Sequence, residues 1–396
     1  MSLTLLLDLD DTLLDTNLAV FMPAYFQALT QHLAEHSAPS TMLRALVAGA
    51  NLMNENEDPT HTLEEIFDAD FYLQVGLSKK DLVQIFDEFY DEVFPALVQY
   101  TRPRPDAVPF IDWATSCGYR IAIATDPLFP RKVTYHRLRW AGFEPERFEL
   151  VSTFEHFHFT KRHPAYYAEV LGRLGWPEGP VLMVGNEPER DLIPAHRLGL
   201  KTFFIDGESD SSPGFEAGCG KLADLRPWLE SVNLSTLEPS FKSREAVLAI
   251  MVSTPAVLRG LSAALTEEQW RHEPAREDWA MNEIICHLRD TEREVHQTQL
   301  SLMIEREGAF IPRPESGIWA NERQYLNVDG KSALAEFARA RIESIKTLKG
   351  LDEDIWERSA RHAIFGPTNF LEVTGFMADH DRLHVHQAWK TLKSAA

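Results

Sequence analysis

Five short apolar segments, separated by helical segments, constrain the fold of this 396-residue chain more than any other feature. They lie at residues 3–9, 119–125, 148–153, 179–185 and 201–206. Apolar strands that alternate with helices are typical of a parallel sheet covered on both faces. In such sheets a ligand binds beyond the carboxyl ends of the strands. The polar residues that follow each segment are therefore the first candidates for a functional site.

The chain is long enough for two domains, and its pattern changes after the last of these segments. Residues 208–243 are rich in Ser, Gly and Pro, which indicates the end of one domain and a linker at 231–243. Further on we expect no strands and four amphipathic helices, near 244–265, 281–306, 332–349 and 370–392. The sequence predicts an α/β domain with a Rossmann-like parallel sheet over 1–230, then an all-α four-helix bundle over 244–396.

Charge and cysteine content narrow the function classes. A formal net charge of −21 argues against binding nucleic acid or an anionic membrane. The three cysteines, Cys117, Cys219 and Cys286, are odd in number and widely spaced, as expected of reduced and mostly buried thiols. No segment reads as a bilayer-spanning helix, and the apolar start lacks the basic residues of a signal peptide. We therefore expect a cytoplasmic protein.

The segment ends carry four motifs in a fixed order. They are the sequence DLDDTL from Asp8, Thr125 after the second segment, Lys161 in KRHPAYY, and GNEPERD from Gly185. In order and spacing they resemble the haloacid dehalogenase-like (HAD) superfamily over about residues 1–207. The helical insertion at 17–100 resembles the cap of that family, which selects the substrate by closing over the site.

The resemblance implies a phosphatase acting on a small phosphorylated metabolite. Asp8 would be the nucleophile and form an aspartyl-phosphate, and Asp10 would act as the general acid and base. Thr125 would donate a hydrogen bond to the phosphoryl group, and Lys161 would neutralise the charge that gathers there. Several acidic groups beside a phosphate require a hard cation, so Mg²⁺ is implied. Its expected ligands are Asp8, Asp10, Asn186 and Asp191.

Two departures from the family pattern affect this site. Asn186 stands where the family usually has Asp, which removes one negative charge that Glu187 or Asp191 could replace. The third motif reads Lys-Arg-His-Pro, so Arg162 could share the role of Lys161. A haloacid dehalogenase is less expected, because breaking a carbon–halogen bond needs neither a metal nor the acid at Asp10. An inactive, degenerate HAD domain stays open as well.

The second half of the chain is rich in histidine. His380 and His384 are four residues apart, so one helical face can present both to a metal. His287 lies on the apolar face of another predicted helix, whereas His296, His362 and His386 are expected to be solvated or structural. The text from Trp279 to Asp290 and the late His-Asp-x-x-His resemble the DinB-like (DinB/YfiT) superfamily over about 244–396.

That second resemblance implies that His287, His380 and His384 bind a divalent transition metal such as Zn or Ni. Asp290, Asp379 and Asp381 are candidate acceptors for the second nitrogens of these rings. The resemblance also admits a thiol-dependent transferase. Two function classes thus stay open. In the first, the protein is a phosphatase with an accessory metal-binding bundle. In the second, the HAD domain is degenerate, and the bundle either carries the main activity or is a sensing or homodimerising module.

Overall fold

The computed structural model describes residues 2–206, 214–275 and 278–394. The chain divides into two compact units. Unit 1 is Met1–Tyr167 with Glu178–Pro239, and unit 2 is Ala168–Pro177 with Ser240–Ala396. The division after Pro239 falls within the expected linker, while the domain bounds 1–230 and 244–396 stay a prediction. Residues 208–213 of the loosened stretch lie outside the described residues.

The described part of unit 1 is built on a six-stranded parallel sheet with a separate two-stranded pair. Its strands are β1 Thr4–Leu7, β2 Leu14–Thr16, β3 Thr101–Pro103, β4 Arg120–Ile123, β5 Leu150–Val151, β6 Val181–Gly185, β7 Lys201–Ile205 and β8 Gly218–Gly220. The sheet order is β5-β4-β1-β6-β7-β8, and β2 pairs antiparallel with β3. The five strands expected from the apolar segments are confirmed. The strand β8, with the sequence GCG, was not expected because it has no apolar run.

Helices cover this sheet and form the insertion. They are α1 Leu18–His32, α2 Pro39–Glu55, α3 Leu63–Val75, α4 Lys79–Glu88, α5 Ala107–Ser116, α6 Arg131–Trp140, α7 Pro164–Arg173, α8 Ile193–Leu198 and α9 Leu222–Ser231. The helices α1–α4 lie between β2 and β3, and they contribute to an apolar cluster that includes Phe21 of α1, Phe71 of α3 and Phe89 just after α4. The insertion, hereafter the cap, is thus a helical subdomain with an antiparallel strand pair at its base.

Four long helices dominate unit 2, as expected. Its helices are α10 Arg244–Ser262, α11 Glu267–Trp270, α12 Met281–Thr291, α13 Gln297–Glu305, α14 Trp319–Glu322, α15 Gly330–Lys349, α16 Glu353–Trp356 and α17 Phe370–Ser394. A π-helical turn, Glu292–His296, makes α12 and α13 nearly continuous. The expectation of no strands is wrong, because β9 Ala309–Ile311, β10 Ser359–His362 and β11 Gly366–Asn369 form a small sheet. These strands are short and partly polar, so they give no clear period-two pattern.

Two further sequence expectations need correction. Among the described residues, α10 is long and apolar enough to cross a membrane by length and composition, but 72% of its most apolar window is buried in the protein. Its composition is therefore that of a core helix. The cysteines are free, but Cys117 and Cys219 are exposed and only Cys286 is buried, so the expectation of mostly buried thiols is wrong.

Candidate carboxylate and histidine sites

The sheet register brings the first set of predicted residues to one edge. Leu7 at the end of β1 pairs with Ile123 of β4 on one side and with Val184 of β6 on the other. The three strands therefore end at nearly the same level of the sheet. Asp8, Thr125 and Asn186 follow these strand ends. Each of these residues lines one cavity in unit 1, of about 710 Å³.

A buried lysine organises the carboxylates at this edge. Lys161, in the loop between β5 and α7, is 2% exposed, and its Nζ lies 2.5 Å from Oδ1 of Asp8. The same Nζ contacts Asp191, which is 1% exposed. Although burial alone would lower it, the carboxylates of Asp191 and Asp8 raise the pKa of Lys161. Lys161 therefore stays a cation beside Asp8.

Asp191 lies behind the cavity wall. Its Oδ2 accepts hydrogen bonds from the backbone N–H groups of Asn186, at 3.0 Å, and Glu187, at 2.9 Å. Its carboxylate also packs against Gly185, where an added Cβ would lie 2.3 Å from the Asp191 Cγ. Burial raises the pKa of Asp191, and the adjacent Lys161 opposes that rise. Its observed contacts are those of a residue that shapes the loop carrying Asn186, rather than of an open metal ligand.

The remaining oxygen donors converge on the threonine of the first motif. The Oγ1 of Thr12 donates to Oδ2 of Asp8 at 3.2 Å and lies 3.4 Å from Oδ1 of Asn186. The Oδ1 of Asp10 is buried and has no hydrogen-bond partner among the described residues. Asp8, Asp10 and Asn186 all line the cavity, and they offer oxygen atoms of the kind that a hard cation binds. Arg162 is exposed, so it does not share the place of Lys161.

Sequence reasoning missed a second buried cation in this site. Arg137 of α6 is 1% exposed, lines the cavity and forms an ion pair with Asp10. Burial lowers its pKa to about 10, which still leaves it charged at neutral pH. The spacing of Val133, Arg137 and Ala141 offered a signal, because it puts Arg137 on the buried face of its helix.

Asp126 and Tyr166 fix the loops around Lys161 and Thr125. The Oδ1 of Asp126 accepts from the backbone N–H of Lys161 at 3.2 Å, and its other oxygen contacts Arg190. The carbonyl of Thr125 accepts from the hydroxyl of Tyr166 at 2.8 Å. Sequence reasoning passed over both residues, because each lies near a motif without being part of it.

Three histidines of unit 2 form a second cluster. His287 comes from α12, and His380 and His384 come from α17. One ring nitrogen of each residue lies within 4.8 Å of the others, and the Nε2 atoms of His287 and His380 are 3.1 Å apart. Trp279 stacks on His384 with a ring-centroid distance of 5.7 Å. The three predicted rings therefore come together.

The electrostatics of this cluster favour neutral imidazoles. Burial, reinforced by His384 and His296, lowers the pKa of His287 to about 3. Burial and the neighbouring rings also hold the pKa of His380 well below its usual value, and burial lowers that of His384. Neutral imidazoles with facing nitrogens are the state in which histidine ligates a metal.

The prediction that Asp290, Asp379 or Asp381 accepts from the second nitrogens of these rings is wrong. Asp290 accepts from Tyr325 at 2.7 Å, and it also pairs with two arginines. Asp381 pairs with Arg341, and Asp379 pairs with Arg382. The ring of His384 instead lies with Nδ1 at 2.9 Å from Oε1 of Gln387. Arg323 and Arg341, which pair with Asp290 and Asp381, come from other elements. Arg289 and Arg382 lie on the same helices as the aspartates with which they pair.

Two family models match this chain, one in each half. Residues 3–199 match the model for haloacid dehalogenase-like hydrolase, and residues 251–388 match the model for the DinB superfamily. The chain joins a haloacid dehalogenase-like hydrolase domain to a DinB-superfamily domain. None of the curated proteins compared with it matches.

Solved structures resemble each domain separately. A HAD phosphatase from Thermococcus onnurineus is 19% identical, with 58% of this chain and 98% of that chain covered and a TM-score of 0.39. A 2-haloacid dehalogenase from Pseudomonas syringae pv. Tomato DC3000 is 20% identical, with 58% and 99% covered and a TM-score of 0.43. YfiT from Bacillus subtilis, a probable metal-dependent hydrolase with an unusual four-helix bundle topology, is 15% identical, with 39% and 89% covered and a TM-score of 0.36.

A buried charge network underlies the histidines of the DinB-superfamily domain. Arg341 is 1% exposed and pairs with Glu292, at 2.8 Å, and with Asp381. Glu292 also lies 3.1 Å from Nδ1 of His296, whose ring centroid is 5.3 Å from that of His380. His296 therefore links the network to the cluster.

Proposed function

We propose that the hydrolase domain is a magnesium-dependent phosphatase that acts on a small phosphorylated metabolite through an aspartyl-phosphate on Asp8. The observation that carries this proposal is the position of Asp8. It follows a central strand, lines the cavity and is held by Lys161, with Asp10 two residues further along the chain. A fixed carboxylate beside a buried cation is the arrangement that nucleophilic attack on a phosphate needs.

Each residue around Asp8 has a definite part in this reaction. A carboxylate oxygen of Asp8 attacks phosphorus while the bond from phosphorus to the leaving oxygen breaks, and Asp10 donates a proton to that oxygen. Thr125 and Lys161 stabilise the phosphoryl oxygens. Asp10 then takes a proton from the water that attacks the aspartyl-phosphate, and Asp8 leaves as a carboxylate together with inorganic phosphate. Acid–base help of this kind contributes roughly a hundred- to ten-thousand-fold in rate.

The donor set at this edge suits magnesium. Asp8, Asp10 and Asn186 would hold the ion with oxygen atoms, and the buried unpaired Oδ1 of Asp10 gains a partner. When bound, Mg²⁺ supplies positive charge that offsets the repulsion between the carboxylates and the phosphate. The amide of Asn186 contributes no negative charge, so the affinity for Mg²⁺ should be lower than that of a three-carboxylate site.

The cavity argues against the dehalogenase alternative. At about 710 Å³ it has the size of a pocket for a metabolite, and it is far larger than a two- or three-carbon haloacid requires. The presence of Asp10, which carbon–halogen cleavage does not need, points the same way.

The test is phosphate release by the full chain with and without Mg²⁺, using the wild type and Asp8→Asn. Asp8→Asn keeps the size of the side chain and removes the nucleophile, so the rate should fall at least about a thousand-fold. Asp15→Asn, a matched change at an exposed aspartate, is the control and should retain activity. Release by Asp8→Asn at close to the wild-type rate would contradict the aspartyl-phosphate mechanism.

We further propose that His287, His380 and His384 hold a divalent transition metal, Zn or Ni, in the DinB-superfamily domain. Three neutral nitrogen donors suit a late first-row ion and leave positions for water or a thiolate. Such a metal site supports the second candidate function. In it the DinB-superfamily domain carries the main function, either as a metal-dependent thiol transferase or as a sensing or dimerising module. No phosphatase activity across a phospho-metabolite panel, with metal retained on the histidines, would favour it.

For location and partners we propose a cytoplasmic protein with a small-molecule substrate, and without nucleic-acid or membrane binding. The net charge of −21 and the three free thiols support this proposal. A homodimer through the bundle is the oligomer we would look for first.

A further inference from the structure

The charges on the wall of the hydrolase-domain cavity do not balance. Among the described residues, nine carboxylate and six basic side chains line this cavity, which leaves a formal excess of three negative charges. A phosphate monoester has a charge of about −1.5 to −2 at pH 7, so its charge and that of one Mg²⁺ nearly cancel. The excess therefore remains for the organic part of the substrate. A cleft lined by one sign of charge attracts groups of the opposite sign.

The basic side chains of this wall already have partners. Five of the six are in ion pairs with carboxylates, namely Lys79, Lys132, Arg137, Lys161 and Arg190. The sixth, Arg131, is exposed. Within the described part of the chain, the wall thus offers no unpaired buried cation to a second anionic group of a substrate.

The carboxylate of Glu155 lacks such a partner. Glu155 lies in the loop between β5 and α7, and its Oε1 accepts from the backbone N–H of Arg131 at 2.7 Å. Its Oε2 is buried and has no hydrogen-bond partner, and no basic side chain of the described residues pairs with it. Burial raises the pKa of Glu155, the N–H of Arg131 opposes that rise and Glu64 adds to it. A buried carboxylate without a counter-charge is costly, so a cationic group of a ligand would be stabilised beside it.

Aromatic rings belong to the same region of the wall as Glu155. Phe154 precedes it in the chain, lines the cavity and forms an edge-on pair with Phe67, with ring centroids 6.1 Å apart. Burial raises the pKa of Tyr90, and the negative charge of Glu155 adds to that rise, so Tyr90 lies within the field of this carboxylate. The ring of Tyr90 is stacked with Phe86 at 6.3 Å, and both line the cavity. Aromatic rings together with a carboxylate are the combination that recognises ammonium groups, because ring faces attract a cation and the carboxylate neutralises it.

We infer that the hydrolase domain takes phosphate monoesters whose organic part carries an ammonium group, and that Glu155 pairs with that group. This inference rests on the proposed phosphatase function. The bonds that form and break at Asp8 are those described above. Glu155 takes no part in them and determines which esters bind.

Two pairs of esters of equal shape test the substrate class. Phosphocholine carries a trimethylammonium group, and 3,3-dimethylbutyl phosphate has carbon in place of its nitrogen. Phosphoethanolamine and propyl phosphate form the second pair. Calorimetry on the full Asp8→Asn chain with Mg²⁺ measures the Kd of each ester without turnover, so that differences between leaving groups do not enter. We expect the ammonium ester of each pair to bind at least about tenfold more tightly than its neutral counterpart.

A second substitution separates recognition by Glu155 from its contact with the start of α6. Glu155→Gln keeps an oxygen that can accept from the N–H of Arg131 and removes the charge. Added to Asp8→Asn, it should reduce the preference for the ammonium ester to less than about threefold. Glu88→Gln removes one negative charge from an exposed position of the cap away from the cavity wall, and it should preserve the preference. Because each readout is a ratio of Kd values within one protein, a partial loss of folded protein does not alter it.

The outcomes separate this inference from the proposed function. Equal Kd values within each pair, together with phosphate release by the wild type that depends on Asp8, overturn the substrate class and leave the phosphatase standing. A preference that Glu155→Gln does not reduce shows that Glu155 only holds the start of α6, and it overturns the recognition by Glu155. Tight binding of the ammonium esters without release by the wild type above the level of Asp8→Asn overturns the phosphatase, and with it the claim that these esters are substrates.

Discussion

Replacing Lys161 by methionine keeps the length of the side chain and removes a cation that contacts two buried carboxylates. Asp8 is 6% exposed and Asp191 is 1% exposed, so neither gains much from water when Lys161 is lost. Breaking a buried ion pair from one side costs about 3–5 kcal/mol. Two backbone N–H groups still bind Asp191, so we expect the lower end, about 3 kcal/mol.

The loss should be measured by calorimetry or urea unfolding in a metal-free buffer, because a bound cation would partly replace Lys161. For a unit of this size, 3 kcal/mol corresponds to a fall in Tm of roughly 6–12 °C. Arg162→Met, at the adjacent exposed position, is the matched control and should change stability by less than about 0.5 kcal/mol.

The pH dependence identifies the cause of the loss. Without Lys161, burial raises the pKa of Asp191 in the folded state further above its unfolded value. The folded state then binds more protons than the unfolded state between those two values, so the stability of the variant falls as pH rises through that window. The difference from the wild type should be larger at pH 8 than at pH 5. A Lys161→Met protein as stable as the wild type at pH 8 would refute this account of the buried carboxylates.

Three further predictions concern the metals and the thiols. Asn186→Asp adds a negative charge beside Asp8, so the Mg²⁺ concentration for half-maximal phosphate release should fall by about tenfold, and an unchanged value would place Asn186 away from the ion. His384→Ala should remove most of the transition metal found by elemental analysis of purified protein, while His36→Ala, at an exposed histidine, should not. Iodoacetamide should label Cys117 and Cys219 of the native protein but spare Cys286, which is buried and whose pKa burial raises to about 12. Labelling of Cys286 at a comparable rate would show that its surroundings open readily.

The residues that could be predicted are those whose position follows from local pattern. An apolar run long enough to form a buried strand also shows where the carboxyl end of that strand lies. The runs therefore predicted that Asp8, Thr125 and Asn186 lie at one edge of the parallel sheet. The spacing of His380 and His384 worked in the same way for a helix. The strand β8 and each strand of the small sheet of unit 2 have only three or four residues and no apolar run. The pairing of these strands therefore depends on contacts between residues distant in sequence.

Partners supplied by other elements could not be predicted. Arg137 comes from a helix that begins after β4, and only the folded chain shows that it meets Asp10. The same holds for Asp381, which pairs with Arg341 of another helix instead of supporting the histidine beside it. From the sequence, an aspartate beside a histidine is expected to support that histidine. In the folded chain Asp381 pairs with Arg341 instead, because a buried arginine must be neutralised.

The two proposed metal sites differ in donor chemistry, and this bears on how one chain can carry both. The carboxylate site offers oxygen atoms from Asp8, Asp10 and Asn186, and Lys161 and Arg137 lie against it. Hard Mg²⁺ suits such donors, and the nearby cations disfavour tight binding of any ion in the absence of phosphate. The histidine site offers neutral nitrogen atoms that bind Mg²⁺ poorly and late transition metals well. The proposed histidine site therefore selects against Mg²⁺ by donor type, whereas the oxygen donors of the carboxylate site suit Mg²⁺ without excluding a late transition metal.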